Sequence, residues 1–63
     1  MILDKRKVLI ALAETGLSTK AFCESSGVRY YTFRRALAGE GCKPSTAGRI
    51  AKALKVPVSD IIA

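Results

Sequence analysis

The sequence predicts an all-α fold, a compact bundle of about five short helices. Three observations predict it: the chain is rich in alanine and leucine, its apolar residues recur at helical spacing, and no segment alternates as a strand does. With 63 residues, the chain has the size of one small domain, so residues 1–63 are expected to form a single domain.

The first helix is predicted over residues 4–15, with Asp4 as its N-cap. One side of this helix is expected to be buried and is lined by Val8, Ala11, Leu12 and Thr15, with Leu9 at its margin. Ile10 lies on the opposite side, beside Arg6 and Glu14, where an isolated exposed isoleucine is common.

Glycines mark the ends of the first three predicted helices. Gly16 follows the first helix, and Gly27 follows a second helix that begins after the N-cap Ser18 and ends near Ser26. A third helix is predicted over residues 28–38, from Val28 to the Ala38-Gly39 pair.

The C-terminal third is predicted to hold a loop, a helix and a turn. Residues 39–44 (GEGCKP) contain helix breakers, and Ser45 is expected to cap a fourth helix of about ten residues. Its buried stripe is predicted to be Ala47, Ile50, Ala51 and Leu54. Pro57 begins a final turn whose apolar side chains, Val58, Ile61 and Ile62, must dock on the protein's own core or on a second copy.

Charge and composition limit the kinds of partner that the protein is expected to bind. Eleven Lys and Arg against five Asp and Glu give a net charge of +6, which favours a polyanionic partner, either nucleic acid or a membrane surface. No transmembrane segment or signal peptide is visible, since the longest apolar run is residues 8–13, so a cytoplasmic protein is expected. A basic membrane-active peptide is the weaker alternative.

Catalysis and metal binding are not expected. The chain has no histidine, paired carboxylates or phosphate-binding glycine loop, and its two cysteines lack CxxC spacing. No cofactor or metal is therefore predicted, and Cys23 and Cys42 are expected to be reduced thiols, with Cys23 facing the first helix and Cys42 in the loop.

The third helix carries the clearest functional pattern. Its inner side is predicted to hold Phe33, Ala36 and Leu37, while its outer side is aromatic and cationic: Tyr30, Tyr31, Arg34 and Arg35. No acid lies between Gly27 and Gly39. Two short helices joined by a glycine turn, the second with such an outer side, are typical of a helix-turn-helix, here over residues 18–38, whose second helix enters the major groove of DNA.

Several segments carry a family resemblance: LSTK at 17–20, FC at 22–23, GV at 27–28, TFRRALAG at 32–39, KPS at 43–45, RIAKALKV at 49–56 and VSDII at 58–62. In this order and spacing they resemble lambda-repressor-like (Cro/cI or XRE-type) domains over nearly the whole chain. The resemblance departs from the family at four positions: Thr19 replaces a usual Gln, Arg29 a usual capping Ser, Ser26 an apolar residue and Ala38 a usual Asn.

The resemblance implies a site. By position in the family's motif, the base-reading residues are expected to be Tyr30, Tyr31 and Arg34, and the residues at the DNA backbone to be Thr19, Arg29, Arg35 and Lys43. It also implies a function: a sequence-specific transcriptional regulator of bacterial or phage type, expected to be a repressor, which binds double-stranded DNA as a weak homodimer or as a dimer formed on DNA.

Two other classes stay open. The same fold is used in protein-binding modules such as antitoxins and adaptors. The segments Tyr31-Thr32-Phe33 and Arg35-Ala36-Leu37 are also similar to the headpiece of lactose-repressor-like regulators, although those headpieces begin directly with the helix-turn-helix, without a full helix before it.

Overall fold

The computed structural model describes residues 1–63, which form four α-helices and one short 3-10 turn. Its elements are α1 (Lys5–Thr15), α2 (Thr19–Ser26), α3 (Tyr30–Leu37), α4 (Pro44–Leu54) and a single 3-10 turn (Val58–Asp60). The all-α prediction is confirmed, and the only β-type pairing is one isolated antiparallel bridge between Leu3 and Ile62. None of the helices combines the length and the hydrophobicity that crossing a membrane requires.

The predicted ends of α1 and α2 are confirmed by their caps. The Asp4 carboxylate accepts a hydrogen bond from the Lys7 backbone N–H at 3.1 Å, and the Ser18 hydroxyl accepts one from the Ala21 backbone N–H at 3.1 Å. Gly16 ends α1 at φ 76°, in the left-handed region that glycine adopts without steric cost. Helix α1 therefore ends where the sequence predicted.

The predicted starts of α3 and α4 were each wrong by two residues. α3 begins at Tyr30, not at Val28, because the Val28 side chain turns into the core and Arg29 is extended, with ψ 140°. α4 begins at Pro44, not after a Ser45 cap, because proline presets the helical φ and has no N–H to leave unpaired in the first turn. The residue before it, Lys43, is the N-cap.

The fifth predicted helix is shorter than expected. It is one 3-10 turn, which closes with a hydrogen bond from the Ile61 N–H to the Val58 carbonyl at 3.0 Å. The backbone then leaves the helical region because the next residues pair with the start of the chain. The structure thus has four α-helices and this turn in place of five helices.

Fourteen apolar residues form one core, and no polar side chain is buried with them. Its centre is a pair of fully buried rings, Phe22 of α2 and Phe33 of α3, whose centroids lie 5.3 Å apart. The predicted stripe of α4 is buried in full: Ala47, Ile50, Ala51 and Leu54. The core therefore holds α3 through its inner side and leaves its outer side to solvent.

Backbone hydrogen bonds hold the residues at both ends of the chain. The Asp4 N–H donates to the Ile61 carbonyl at 2.8 Å, and the Ala63 N–H donates to the Ile2 carbonyl at 3.0 Å. Met1 pairs with the loop between α3 and α4, because the Cys42 N–H donates to the Met1 carbonyl at 2.8 Å. The first residues, for which the sequence analysis made no prediction, thus join the α3–α4 loop to the end of the chain.

The apolar residues of the final turn pack on the protein's own core. Ile61 is 1% exposed and belongs to the core, while Val58 and Ile62 are half-buried and pack against it. The final turn was expected to dock either on the core or on a second copy. Ile61 docks on the core.

Both thiols are free, and they differ in burial. Cys23 is buried in the core, and this burial raises the pKa of its thiol, whereas Cys42 is half-buried in the α3–α4 loop. Since the thiolate is the reactive form, we expect a thiol reagent at neutral pH to modify Cys42 first and Cys23 only slowly. Mass spectrometry during labelling checks this, with urea-unfolded protein as the control in which both react. Equal rates in the folded protein would contradict the packing of α2.

Candidate nucleic-acid interface

The outer face of α3 consists of four side chains: Tyr30, Tyr31, Arg34 and Arg35. All four are exposed, Tyr31 by 70%, whereas Phe33 and Ala36 on the inner side are fully buried. The sequence folds this way because α3 places its apolar residues three or four positions apart, which leaves the tyrosines and arginines together on the other side. The structure therefore brings together the three predicted base-reading residues and Arg35.

Each arginine of the outer face is paired with the tyrosine one turn before it. The Arg34 guanidinium donates a hydrogen bond to the Tyr30 hydroxyl at 3.0 Å, and its Cζ lies 5.7 Å from the centroid of that ring. The Cζ of Arg35 lies 5.6 Å from the centroid of the Tyr31 ring. These contacts restrict the arginine side chains, while most of the five N–H donors of each guanidinium stay free for an acceptor.

The two arginines differ in their acidic neighbours. Arg35 forms the only salt bridge in the structure: its Nη2 and Nε each lie 3.1 Å from Oε1 of Glu40, in the loop after α3. The two side chains are each 51% exposed, so water screens the pair and its contribution to stability is small. Arg34 has no acidic partner. Its guanidinium is therefore the cation of this face that is free to bind a ligand without first breaking an ion pair.

One groove borders the outer face of α3 on the side of α1 and α2. We call it the first groove; its lining residues are Lys5, Leu9, Thr19, Arg34, Leu37 and Ala38. Thr19 is the first residue of α2 and is half-buried there. Thr19, predicted to contact the DNA backbone, thus lies on the same groove as Arg34, predicted to contact a base. The ammonium group of Lys5 adds a second cation to this groove.

A second groove borders the outer face on the side of the α3–α4 loop. Its lining residues are Thr32, Arg35, Gly41, Cys42, Lys43 and Thr46. The structure therefore brings Arg35 and Lys43, both predicted at the DNA backbone, to one groove. Arg29 is exposed at the N-cap of α3 and lines neither groove.

Three residues of this surface were not predicted from the sequence. Lys5 reaches the first groove only through the packing of α1, which helical spacing does not reveal. Thr46 reaches the second groove because α4 starts at Pro44, so that this residue lies in the first turn of the helix. Glu40 lies just beyond the acid-free segment that ends at Gly39, yet it is within reach of Arg35, five residues before it in the sequence.

Comparisons of the chain with protein-family models, curated proteins and solved structures gave no match.

Proposed function

We propose that this chain binds double-stranded DNA sequence-specifically, as a lambda-repressor-like helix-turn-helix domain that places α3 in the major groove. The observation that carries the proposal is the outer face of α3, where two tyrosines and two arginines lie exposed between two grooves that each contain a lysine. In this proposal the protein is a cytoplasmic transcriptional repressor of bacterial or phage type, which excludes polymerase by occupying its site.

The size of α3 supports this placement. An α-helix with its side chains is about 10–12 Å across, and the major groove of B-DNA is about 12 Å wide. Arg34 has two donors that suit the O6 and N7 acceptors of guanine, and a tyrosine can contact a thymine methyl group or a base edge. We therefore assign base contacts to Tyr30, Tyr31 and Arg34.

The two grooves support phosphate contacts on both sides of α3. When a helix lies in the major groove, the two sugar-phosphate backbones run along its flanks, and polar or cationic side chains there fix its register. We assign Lys5 and Thr19, on the first groove, to one backbone, and Lys43 and Thr46, on the second groove, to the other. Arg35 can exchange its exposed, weak bond to Glu40 for a phosphate oxygen.

The connection between α2 and α3 supports the helix-turn-helix assignment. Gly27 ends α2 at φ 75°, and Val28 follows it into the core. The contact between the Phe22 and Phe33 rings then fixes α3 against α2. An eight-residue α3 covers few base pairs, so the proposed function includes two protomers bound to a two-fold site.

The test of this function is Arg34→Ala. We expect the loss of a bidentate guanine contact to cost about 1–3 kcal/mol on the preferred duplex and to relax the preference at one base position. The preferred duplex is first selected from a random pool, and affinities for it and for its single-base variants are then measured by fluorescence anisotropy. Lys52→Ala is the matched control, because it removes a cation from an exposed position of α4 that lines neither groove.

Two outcomes would count against this assignment. An equal loss of affinity for every duplex would make Arg34 a phosphate contact. If the unmodified protein selected no duplex at all, the chain would instead be a protein-binding module of the same fold, such as an antitoxin or an adaptor.

A further inference from the structure

The outer face of α1 is apolar at its centre and charged at its two ends. With the C-terminal turn packed on the core, Leu9 and Ile10 are among the large apolar side chains left exposed, by 40% and 54%. Together with Ala13 and the stems of Lys5 and Arg6 they line a shallow groove along α1. These side chains and the charged residues beside them define the outer face of α1.

Three residues of this face form a line along the helix: Arg6, Ile10 and Glu14. They are spaced four residues apart, so that about 6 Å of helix separates each from the next. All three are exposed, and neither charge has an ion-pair partner within the chain, since the only salt bridge lies elsewhere. The line therefore has a cation at one end, an anion at the other and an isoleucine midway.

We propose that the outer face of α1 pairs with the same face of a second copy of this chain, antiparallel across a two-fold axis at Ile10. In this arrangement, Ile10 meets Ile10 of the partner subunit on the axis. Arg6 then faces Glu14 of the partner subunit, and the symmetry repeats this ion pair on the other side. Ala13 beside the axis is small enough to let the two helices approach closely.

The charges favour a second copy over an acidic partner. An acidic protein would be attracted by Lys5 and Arg6 but repelled by Glu14, which lies on the same face. The antiparallel copy places an opposite charge against both ends of the line. The pairing uses no residue of the outer face of α3, although Lys5 and Leu9 line both this groove and the first groove. The pairing is therefore tested without DNA.

The association is expected to be weak. Two helices of eleven residues are each about 16 Å long, so their contact is smaller than the 1,200–2,000 Å² of a stable interface. The net charge of +6 on each copy also opposes association. We expect a dissociation constant on the order of 0.1–1 mM.

The experiment is a charge reversal, measured by sedimentation equilibrium without DNA at protein concentrations up to about 1 mM. Arg6→Glu and Glu14→Arg should each weaken the dimer about tenfold, because each turns two ion pairs into two repulsions, and the double variant should restore it. Arg6→Glu separates this contact from a general charge effect, since it lowers the net charge and would otherwise strengthen association. Lys52→Glu and Glu24→Arg change the net charge by the same amounts on other helices and are the matched controls.

A second variant guards against misfolding of the charge-reversed proteins. Ile10→Asp places two carboxylates on the axis and should also weaken the dimer about tenfold, with the melting temperature unchanged because this side chain is exposed. A monomer at every concentration would overturn the proposal. So would a double variant that stays as weak as the single ones, or a dimer that Ile10→Asp leaves intact.

Discussion

Raising the salt concentration from about 50 to about 200 mM is expected to weaken binding to the preferred duplex by about 10³- to 10⁵-fold. The reason is counterion release: if each of two protomers neutralises about three to five phosphates, log K falls with log salt at a slope near −5 to −9. The cations proposed to contact phosphates are Lys5, Arg35 and Lys43 in the two grooves and the exposed Arg29 at the start of α3. Anisotropy titrations at several potassium chloride concentrations give the slope directly.

The same titration can be repeated with one lysine removed. Lys43→Ala should reduce the steepness of the slope by about one per protomer, whereas Lys52→Ala should leave it nearly unchanged. A slope near zero in the unmodified protein would rule out a nucleic-acid partner.

Phe33→Ala is expected to lower the free energy of unfolding by about 3–5 kcal/mol. Phe33 is fully buried, and its ring lies 5.3 Å from that of Phe22, so truncation leaves a cavity between α2 and α3. A domain of 63 residues has a total stability of only about 3–9 kcal/mol, so this substitution should remove about half of it or more. Urea unfolding followed by far-UV circular dichroism measures the loss.

The matched control lies on the opposite side of the same helix. Tyr31 is 70% exposed, so Tyr31→Ala should change the free energy of unfolding by less than about 0.5 kcal/mol while it weakens DNA binding. Comparable stability losses for the two variants would show that α3 is not oriented with Phe33 inward.

The features that the sequence predicts well are those governed by local chemistry. Asp4 and Ser18 are caps because a short side-chain oxygen can reach the backbone N–H three residues later, whatever the rest of the fold does. The stripe of α4 is predictable because helical spacing alone brings its apolar residues to one side. The outer face of α3 follows from the same spacing, so its four residues could be named in advance.

The features that the sequence does not predict depend on contacts between distant parts of the chain. The last turn does not continue into a full helix because Ile62 pairs with Leu3. No residue near Ile62 in the sequence predicts that bridge. Lys5 and Thr46 join the grooves only once α1 and α4 are packed beside α3. The two grooves beside α3 therefore could not be predicted without the structure, whereas the outer face of α3 could.

The bridge between Leu3 and Ile62 also has a kinetic consequence. It joins residues from opposite ends of the chain, so it closes the longest loop in the molecule and carries the largest entropic cost of closure unless the helices have already brought its ends together. We expect it to be the last contact made in folding and the first lost in local opening. Because Met1 is hydrogen-bonded to Cys42, we expect opening of this bridge also to loosen the loop that carries Lys43, and with it one side of the proposed DNA-binding surface.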